Sequence, residues 1–348
     1  MVETMKAAVF KDIKKVDLED VPIPEINDDE ILVKVDVALT CGTDAKTYKR
    51  GPKKKTPYSQ AIHIFGHEYA GTIEKVGKNV EGFKKGDRVT SANSAPCGTC
   101  FHCKRSEFSL CENLTWLWGT FAEYLKIPAR IVKKNTYLIP KNVPSNRVAL
   151  TEPLACVIHG IERTGIKLGD TVVINGAGPI GLMYVFLAKQ KGAKVISTDL
   201  SKKRLSLAKD LGADITIQVQ DGMDVITEVK KYTDGNKGVD IGIEAVGIPA
   251  IWENTIKMTR KGGIVNLFGG CASGTSISID TALIHYGEII VKGVFHHTPL
   301  YINKAFNMLA SGIFPAEKFI THELSLSEVN DALEMIIQQE GIKIAIKP

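Results

Sequence analysis

Cys97, Cys100, Cys103 and Cys111 form a C-x2-C-x2-C-x7-C run, a spacing with which one loop can wrap four thiolates around a single tetrahedral ion. Sulfur at all four positions leaves no open coordination site. Such an ion is structural and supplies folding free energy to a lobe, at about residues 95–113, with little core of its own. An iron–sulfur cluster is the competing occupant, but the bacterial ferredoxin run closes with a shorter gap and a proline, whereas Glu112 follows Cys111. A second set of donors is dispersed: CGTD opens at Cys41, FGHEYAGTIEKVG spans Phe65 to Gly77, and EPLAC opens at Glu152. Alone, His67 reads as a core histidine and Glu68 as a surface charge. With Cys41 and Glu152 they offer S, N and O donors from three places, as a catalytic zinc requires while keeping one position for substrate. Thr43 is close enough in sequence to touch a metal-bound oxygen, and Asp44 to orient His67; each can instead cap a following helix.

The elements that must carry these loops are legible from periodicity. Lys6 to Phe10 reads as a short apolar strand, and Ile31, Val33, Val35 and Val37 alternate with Leu32, Lys34, Asp36 and Ala38 at the strand period. Strands bounded by glycine turns continue through Gly71 to Gly77, Gly86 to Val89 and Phe121 to Ile127. The chain up to about Leu150 is therefore a mostly β domain whose loops carry the chemistry. From Thr171 strands alternate with helices: strands at Thr171–Asn175, Lys194–Thr198, Ile215–Val219, Val239–Ile243, Gly263–Phe268 and Ile289–Val294, with helices such as Ile180–Lys191 and Arg204–Leu211 between them. That alternation predicts a doubly wound parallel sheet.

The turn after its first strand, Gly176-Ala177-Gly178-Pro179-Ile180-Gly181, fits G-x-G-x-x-G in the strand–turn–helix context that gives the pattern meaning. Gly176 permits the turn, Gly178 lets backbone approach a pyrophosphate, Gly181 lets the helix pack on the sheet, and the helix N-terminus faces the phosphates. Asp199, ending the next strand, suits the ribose hydroxyls of NAD and repels the extra phosphate of NADP. Arg204, a few residues on, is either a counterweight to that preference or a surface helix charge.

The 348 residues exceed what one core usually organises. Their 44% hydrophobic and 24% charged content is ordinary for a globular protein. No apolar run is long enough to span a bilayer, and MVETMKAAVF lacks the marks of a secretion signal, so a cytoplasmic protein without a membrane partner is expected. A net charge of +5, with no dense basic block among aromatics, argues against nucleic acid. Seven cysteines, four of them crowded together, favour metal over disulfides; Cys156 and Cys271 read as ordinary buried thiols. The run KRGPKKK, Lys49 to Lys55, reads as a solvated loop, with steering of an anionic, phosphorylated substrate as its functional alternative.

CGTD, FGHEYAG, the four-cysteine lobe, EPLAC, GAGPIG and Asp199 follow one another over nearly the whole chain, and in this order they resemble the zinc-dependent medium-chain alcohol dehydrogenases. Glu152 in EPLAC, with Glu68 after His67, resembles the polyol (sorbitol) and threonine dehydrogenase branch. The resemblance implies a GroES-like catalytic domain (residues 1–152), a Rossmann domain (153–295) and a segment (296–348) returning to the catalytic part. It implies Cys41, His67 and Glu152 at a catalytic zinc, with Glu68 as ligand or exchanging neighbour, a second, structural zinc in each subunit, NAD, and a homotetramer. The expected activity is hydride transfer between NAD and a small-molecule secondary alcohol, most simply a sugar alcohol, free or phosphorylated. Oxidation of L-threonine at C3 is the alternative, and a catalytically silent zinc- and NAD-binding protein is the reading from another class. Two departures from the family stand out. Lys46 occupies the place of a relay histidine, so either it substitutes or protons leave through solvent and a ribose hydroxyl. The connector after Cys111 is short and carries Trp116 and Trp118, which line a substrate cleft or pack on the lobe. His296 and His297 reach the same cleft or begin a loop.

Overall fold

The structure, a computed structural model, describes residues 2–51 and 64–348; Lys53, Lys54 and Lys55 of the basic run lie outside these. In chain order the strands are β1 (Thr4–Asp12), β2 (Lys15–Pro22), β3 (Ile31–Leu39), β4 (Glu68–Val76), β5 (Arg88–Ser91), β6 (Ser94–Ala95), β7 (Thr115–Trp116), β8 (Tyr124–Ile127), β9 (Thr136–Leu138), β10 (Thr171–Asn175), β11 (Lys194–Asp199), β12 (Ile215–Gln218), β13 (Val239–Glu244), β14 (Thr259–Leu267), β15 (Ile290–Gly293), β16 (Ile320–Ser325) and β17 (Lys343–Lys347). They belong to two compact units: residues 1–155 with 297–348, and residues 156–296.

In the first unit a seven-stranded sheet runs β16-β17-β3-β4-β5-β9, with β8 also pairing to β3. The alternation expected along β3 holds only at Lys34 and Asp36, since Leu32, Ala38 and Leu39 are buried together with Ile31, Val33 and Val37. β3 is an interior strand, lying between β4 and β17 with β8 as a further partner and two register shifts against β4, and most residues on both of its faces are buried. Tyr69, Phe121, Leu125, Ile127 and Ile344 fill the core beneath it.

The second unit has one six-stranded sheet in the order β12-β11-β10-β13-β14-β15, parallel throughout. Apolar runs such as Val172, Val173 and Ile174 are wholly buried because helices cover both faces. The order reverses between β10 and β13, the position at which such sheets open a crevice at the carboxyl ends of their strands. β14 begins at Thr259, earlier than Gly263, because Thr259 already pairs with Val239 ahead of a register shift. Among the described residues no helix is long and apolar enough to cross a membrane.

Candidate active site and metal centres

Register places the dispersed donors together. Leu39 of β3 faces Glu68 of β4, so Cys41, two residues beyond the first strand, and His67, one residue before the second, emerge at the same end of the sheet. Gly66 sits at φ +90°, and a side chain there would strike Thr120 and the Phe121 ring. Main-chain bonds from Gly119 and Thr120 to the Gly66 carbonyl (3.0 and 3.2 Å), and from Phe121 to that of Phe65 (2.9 Å), fix the loop. Cys41 caps the helix Gly42–Arg50, and the Asp44 carboxylate accepts its N–H at 3.1 Å. Capping therefore falls to Cys41 and Asp44, leaving Thr43 exposed in the first turn.

Donor atoms of Cys41, His67 and Glu68 lie within 4.8 Å of one another. Asp44 stands 3.5 Å from Nδ1 of His67, and Glu68 Oε1 stands 4.0 Å from Nε2, which directs Nε2 towards the other donors. Glu68 is fully buried, and Lys343 of β17 grips both of its oxygens at 2.5 and 2.6 Å. Thr40 and Ile344 exchange hydrogen bonds of 3.0 Å that seat β17 beside Cys41. Burial pushes the Glu68 carboxyl up to about 7 against the pull of Lys343 and His67, with Glu152 pushing the same way as burial. Burial alone would lower His67, but Asp44 and Cys41 overcome it and hold the imidazole well above its usual range. Two buried carboxylates, Glu68 and Glu152, and the Cys41 thiol around one lysine, with Asp44 behind His67, make a site that draws in a further cation. The donor set suits zinc: around a tetrahedral ion the ligand atoms lie roughly 3.5 Å apart, a small closing movement from the spacing here.

Glu152, in the helix Thr151–Thr164, is buried, and its charge is felt at both Glu68 and Lys343. Its carboxylate falls in a second donor group, with His297. His297 is 2% exposed, and its Nε2 is 2.8 Å from Asn93 Oδ1; it begins no solvated loop. Trp118 sets its ring edge-on to His67 with centroids 4.7 Å apart, and Trp116 stacks on Trp118 at 6.2 Å. Trp118 thus stands beside His67, with Trp116 behind it. Lys343 and Asn93 belonged to no motif, and only the structure brings them in.

The four lobe cysteines converge within 4.8 Å, and none is in a disulfide. N–H groups of Thr99 and Cys100 point at Cys97 Sγ (3.4 Å each), and those of Cys97 and Asn113 at Cys111 Sγ (3.2 and 3.4 Å). The hydrogen bonds from Thr99 bring Cys97 down to about 5, whereas burial pushes Cys103 up to about 12. Oriented N–H donors around sulfur fit a bound metal tetrathiolate. Outside the lobe Cys156 is buried, but Cys271 is half-buried, a correction caused by its place in the open loop after β14.

In the second unit Gly176 has φ +99°, and a side chain on Gly181 would collide with the Gly176 carbonyl; beside Gly178 there is open space. Gly178 caps the helix Pro179–Gln190, Pro179 opens it and Ile180 follows in the first turn. The open face at Gly178 and the free helix N-terminus fit a pyrophosphate. Asp199 braces the turn, its Oδ2 accepting the Ala177 N–H at 2.6 Å and its Oδ1 that of Ser201 at 2.8 Å. Arg204 is no free surface charge: it is part-buried, with burial lowering it and Asp199 raising it.

A β-rich unit with a buried S, N, O donor group, joined to a parallel sheet carrying a dinucleotide turn, defines a metal-dependent, dinucleotide-using oxidoreductase. Residues 27–141 match the alcohol dehydrogenase GroES-like domain, and residues 179–311 the zinc-binding dehydrogenase family. The chain is 35% identical to a sorbitol dehydrogenase of Bacillus subtilis (strain 168), over 99% of this chain and 98% of that one. It is 32% identical to an L-threonine 3-dehydrogenase of Bacillus velezensis (strain DSM 23117 / BGSC 10A6 / LMG 26770 / FZB42), over 95% of each. A Sinorhizobium meliloti 1021 protein whose crystal structure contains NADP superposes with a TM-score of 0.90 at 30% identity, covering 99% of this chain and 100% of that one. The chain belongs to the zinc-binding medium-chain alcohol dehydrogenase family.

Proposed function

We propose that this enzyme oxidises the secondary hydroxyl of a sugar alcohol with NAD. The observation that carries the reading is the buried Glu68 beside His67 and Cys41, with Glu152 close by; likeness to a sorbitol dehydrogenase along the whole chain supports it. Cys41, His67 and Glu152 would hold the catalytic zinc, with Glu68 as a ligand that exchanges with substrate, and Cys97, Cys100, Cys103 and Cys111 would hold the structural one. Bound at the first site, zinc supplies a Lewis acid for the substrate hydroxyl. The dinucleotide, held by Gly176, Gly178, Pro179, Ile180 and Gly181, supplies the hydride acceptor. Asp44 orients His67, and the Lys343 ammonium draws Glu68 towards its ionised form against the pull of burial. Thr43 and Lys46 are exposed on one helix, so Thr43 passes the proton outward to solvent. Each Asp199 oxygen keeps a lone pair beyond its backbone contact, enough to accept the ribose hydroxyls of NAD. Asp199→Ala should erode preference for NAD over NADP, and an unchanged preference would remove Asp199 as selector.

Absorbance of NADH with sorbitol, other sugar alcohols, sugar-alcohol phosphates and L-threonine tests the activity. Turnover of the sugar alcohols upholds the reading, turnover of threonine alone replaces it, as the Bacillus velezensis relative would suggest, and no turnover by zinc-loaded protein removes both. Preference for the phosphates, falling with salt, would give Lys49 and Arg50 a role. Cytoplasmic residence and a homotetramer complete the reading, the second supported by exposed Ile290 and Val291 on the edge strand β15; light scattering tests the tetramer.

A further inference from the structure

Glu244 ends β13, across the switch in strand order from Asp199, and no step above uses it. Its side chain is wholly buried. Oε1 accepts the N–H groups of Val246 and Gly247, both at 2.8 Å. Its main-chain carbonyl accepts those of Phe268 and Gly269, at 3.1 and 3.0 Å. Oε2 faces Gly269, where a Cβ would strike both it and Gly247 N, and the Trp252 side chain and the Gly269 N–H also draw on the carboxylate. Trp252 Nε1 closes the arrangement by donating to the Gly269 carbonyl at 3.0 Å. Two loops, one after β13 and one after β14, therefore hang on one residue.

A carboxylate is a costly group to bury when its main partners are backbone amides, and burial indeed pushes Glu244 above the usual carboxylate range against the pull of the Gly247 and Val246 N–H groups. The loops it ties end at the crevice side of the sheet. Val246 packs so closely on Gly176 that no side chain fits there, and Val246 and Ile248 are 39% and 50% exposed. A doubly wound sheet binds a dinucleotide with two mononucleotide-binding halves. β10 to β12, with the glycine turn and Asp199, form the adenosine half, which leaves β13 to β15 for the nicotinamide half.

We propose that Glu244 is a positioning residue for the nicotinamide half of the cofactor: from beneath the strand ends it holds the loops after β13 and β14 at the height where they meet that half, without touching the cofactor. The proposal rests on the reading that this unit binds a dinucleotide. The test titrates the zinc-loaded full chain with NADH and with ADP-ribose, which lacks the nicotinamide. Glu244→Ala is expected to raise the NADH dissociation constant about tenfold or more, the loss of two hydrogen bonds to a charged acceptor. ADP-ribose affinity should stay within about twofold and the zinc content should not change. Glu244→Gln, whose amide oxygen can still accept both N–H groups, should recover most of the NADH affinity. Should Glu244→Ala fail to fold, Glu244→Asp carries the same test, because a carboxylate shorter by one methylene cannot reach both amides. Equal weakening of both ligands, or unchanged NADH affinity in a folded variant, overturns the proposal. Wild-type protein that binds neither ligand overturns the dinucleotide reading, and this inference with it, before any variant is made.

Discussion

The donors of the four-cysteine lobe come from one short loop between Cys97 and Cys111, with Cys97 and Cys100 part-exposed and main-chain N–H groups and the Thr99 hydroxyl supporting the sulfurs. Those of the Cys41 group come from β-strand ends far apart in sequence; His67 and Glu68 are almost wholly buried, and Asp44, Glu152 and Lys343 crowd in behind them. The contrast separates two uses of one metal. Four identical donors from a loop close the ion off and hold the loop. Unlike donors on a packed sheet, one of them gripped by a lysine, keep a geometry that leaves room for an exchanging ligand.

The largest expected effect breaks the symmetry between the sites outright. Cys41→Ser should lower turnover about a thousandfold or more, the loss of several kcal/mol of metal assistance, while elemental analysis finds the lobe zinc retained and NADH still binds. Loss of both metals together would show that the sites are not independent. Next, Cys103→Ser should release only the lobe metal and expose residues between Cys97 and Cys111 to protease, with the Cys41 site still loaded; an uncut lobe would contradict a folding role. Smaller again, Lys343→Met strips Glu68 of the cation that grips both its oxygens and should cost about 3–5 kcal/mol in urea unfolding of the zinc-free protein at a pH where Glu68 is ionised. Bound zinc should recover part of this loss, and a cost equal with and without metal would argue against Glu68 as a ligand. The smallest effect lies in the other unit. Burial raises Glu244 in the folded state, so the folded protein holds a proton there that the unfolded chain releases. That contribution is complete below the unfolded value, near pH 4.3, and is lost as pH rises through the higher folded value. The stability difference between Glu244→Gln and wild type should therefore shift towards the variant from pH 4 to pH 8, and a flat difference would mean the carboxyl is not raised.

What could be read from the sequence follows the range of the interactions. The cysteine run and the glycine turn are local, so spacing alone announced them, and the six parallel strands came from a periodicity contained within each segment. His67 and Glu68 were legible as a pair, but the burial of Glu68 was not, because its partner Lys343 lies 275 residues away in a strand with no motif. Asp199 was legible as a strand-end carboxylate, yet its bond to Ala177 depends on a turn built from the preceding strand. β3 misled where strict alternation was expected, since a strand with neighbours on both edges and covered faces no longer obeys a two-sided pattern. Glu244 gave no signal beyond one acidic residue ending an apolar run.

The pairing of β17 with β3 also orders events on the ribosome. The parallel-sheet unit is complete in the nascent chain once residue 296 has emerged and can fold as translation proceeds. The other unit must wait for Lys343 before Glu68 has its counter-charge and Thr40 its main-chain partner. Metal captured by Cys41 and His67 before then meets an unfinished pocket, so loading of the reactive site should follow the emergence of Lys343 and Ile344, whereas the cysteine loop can take its ion much earlier.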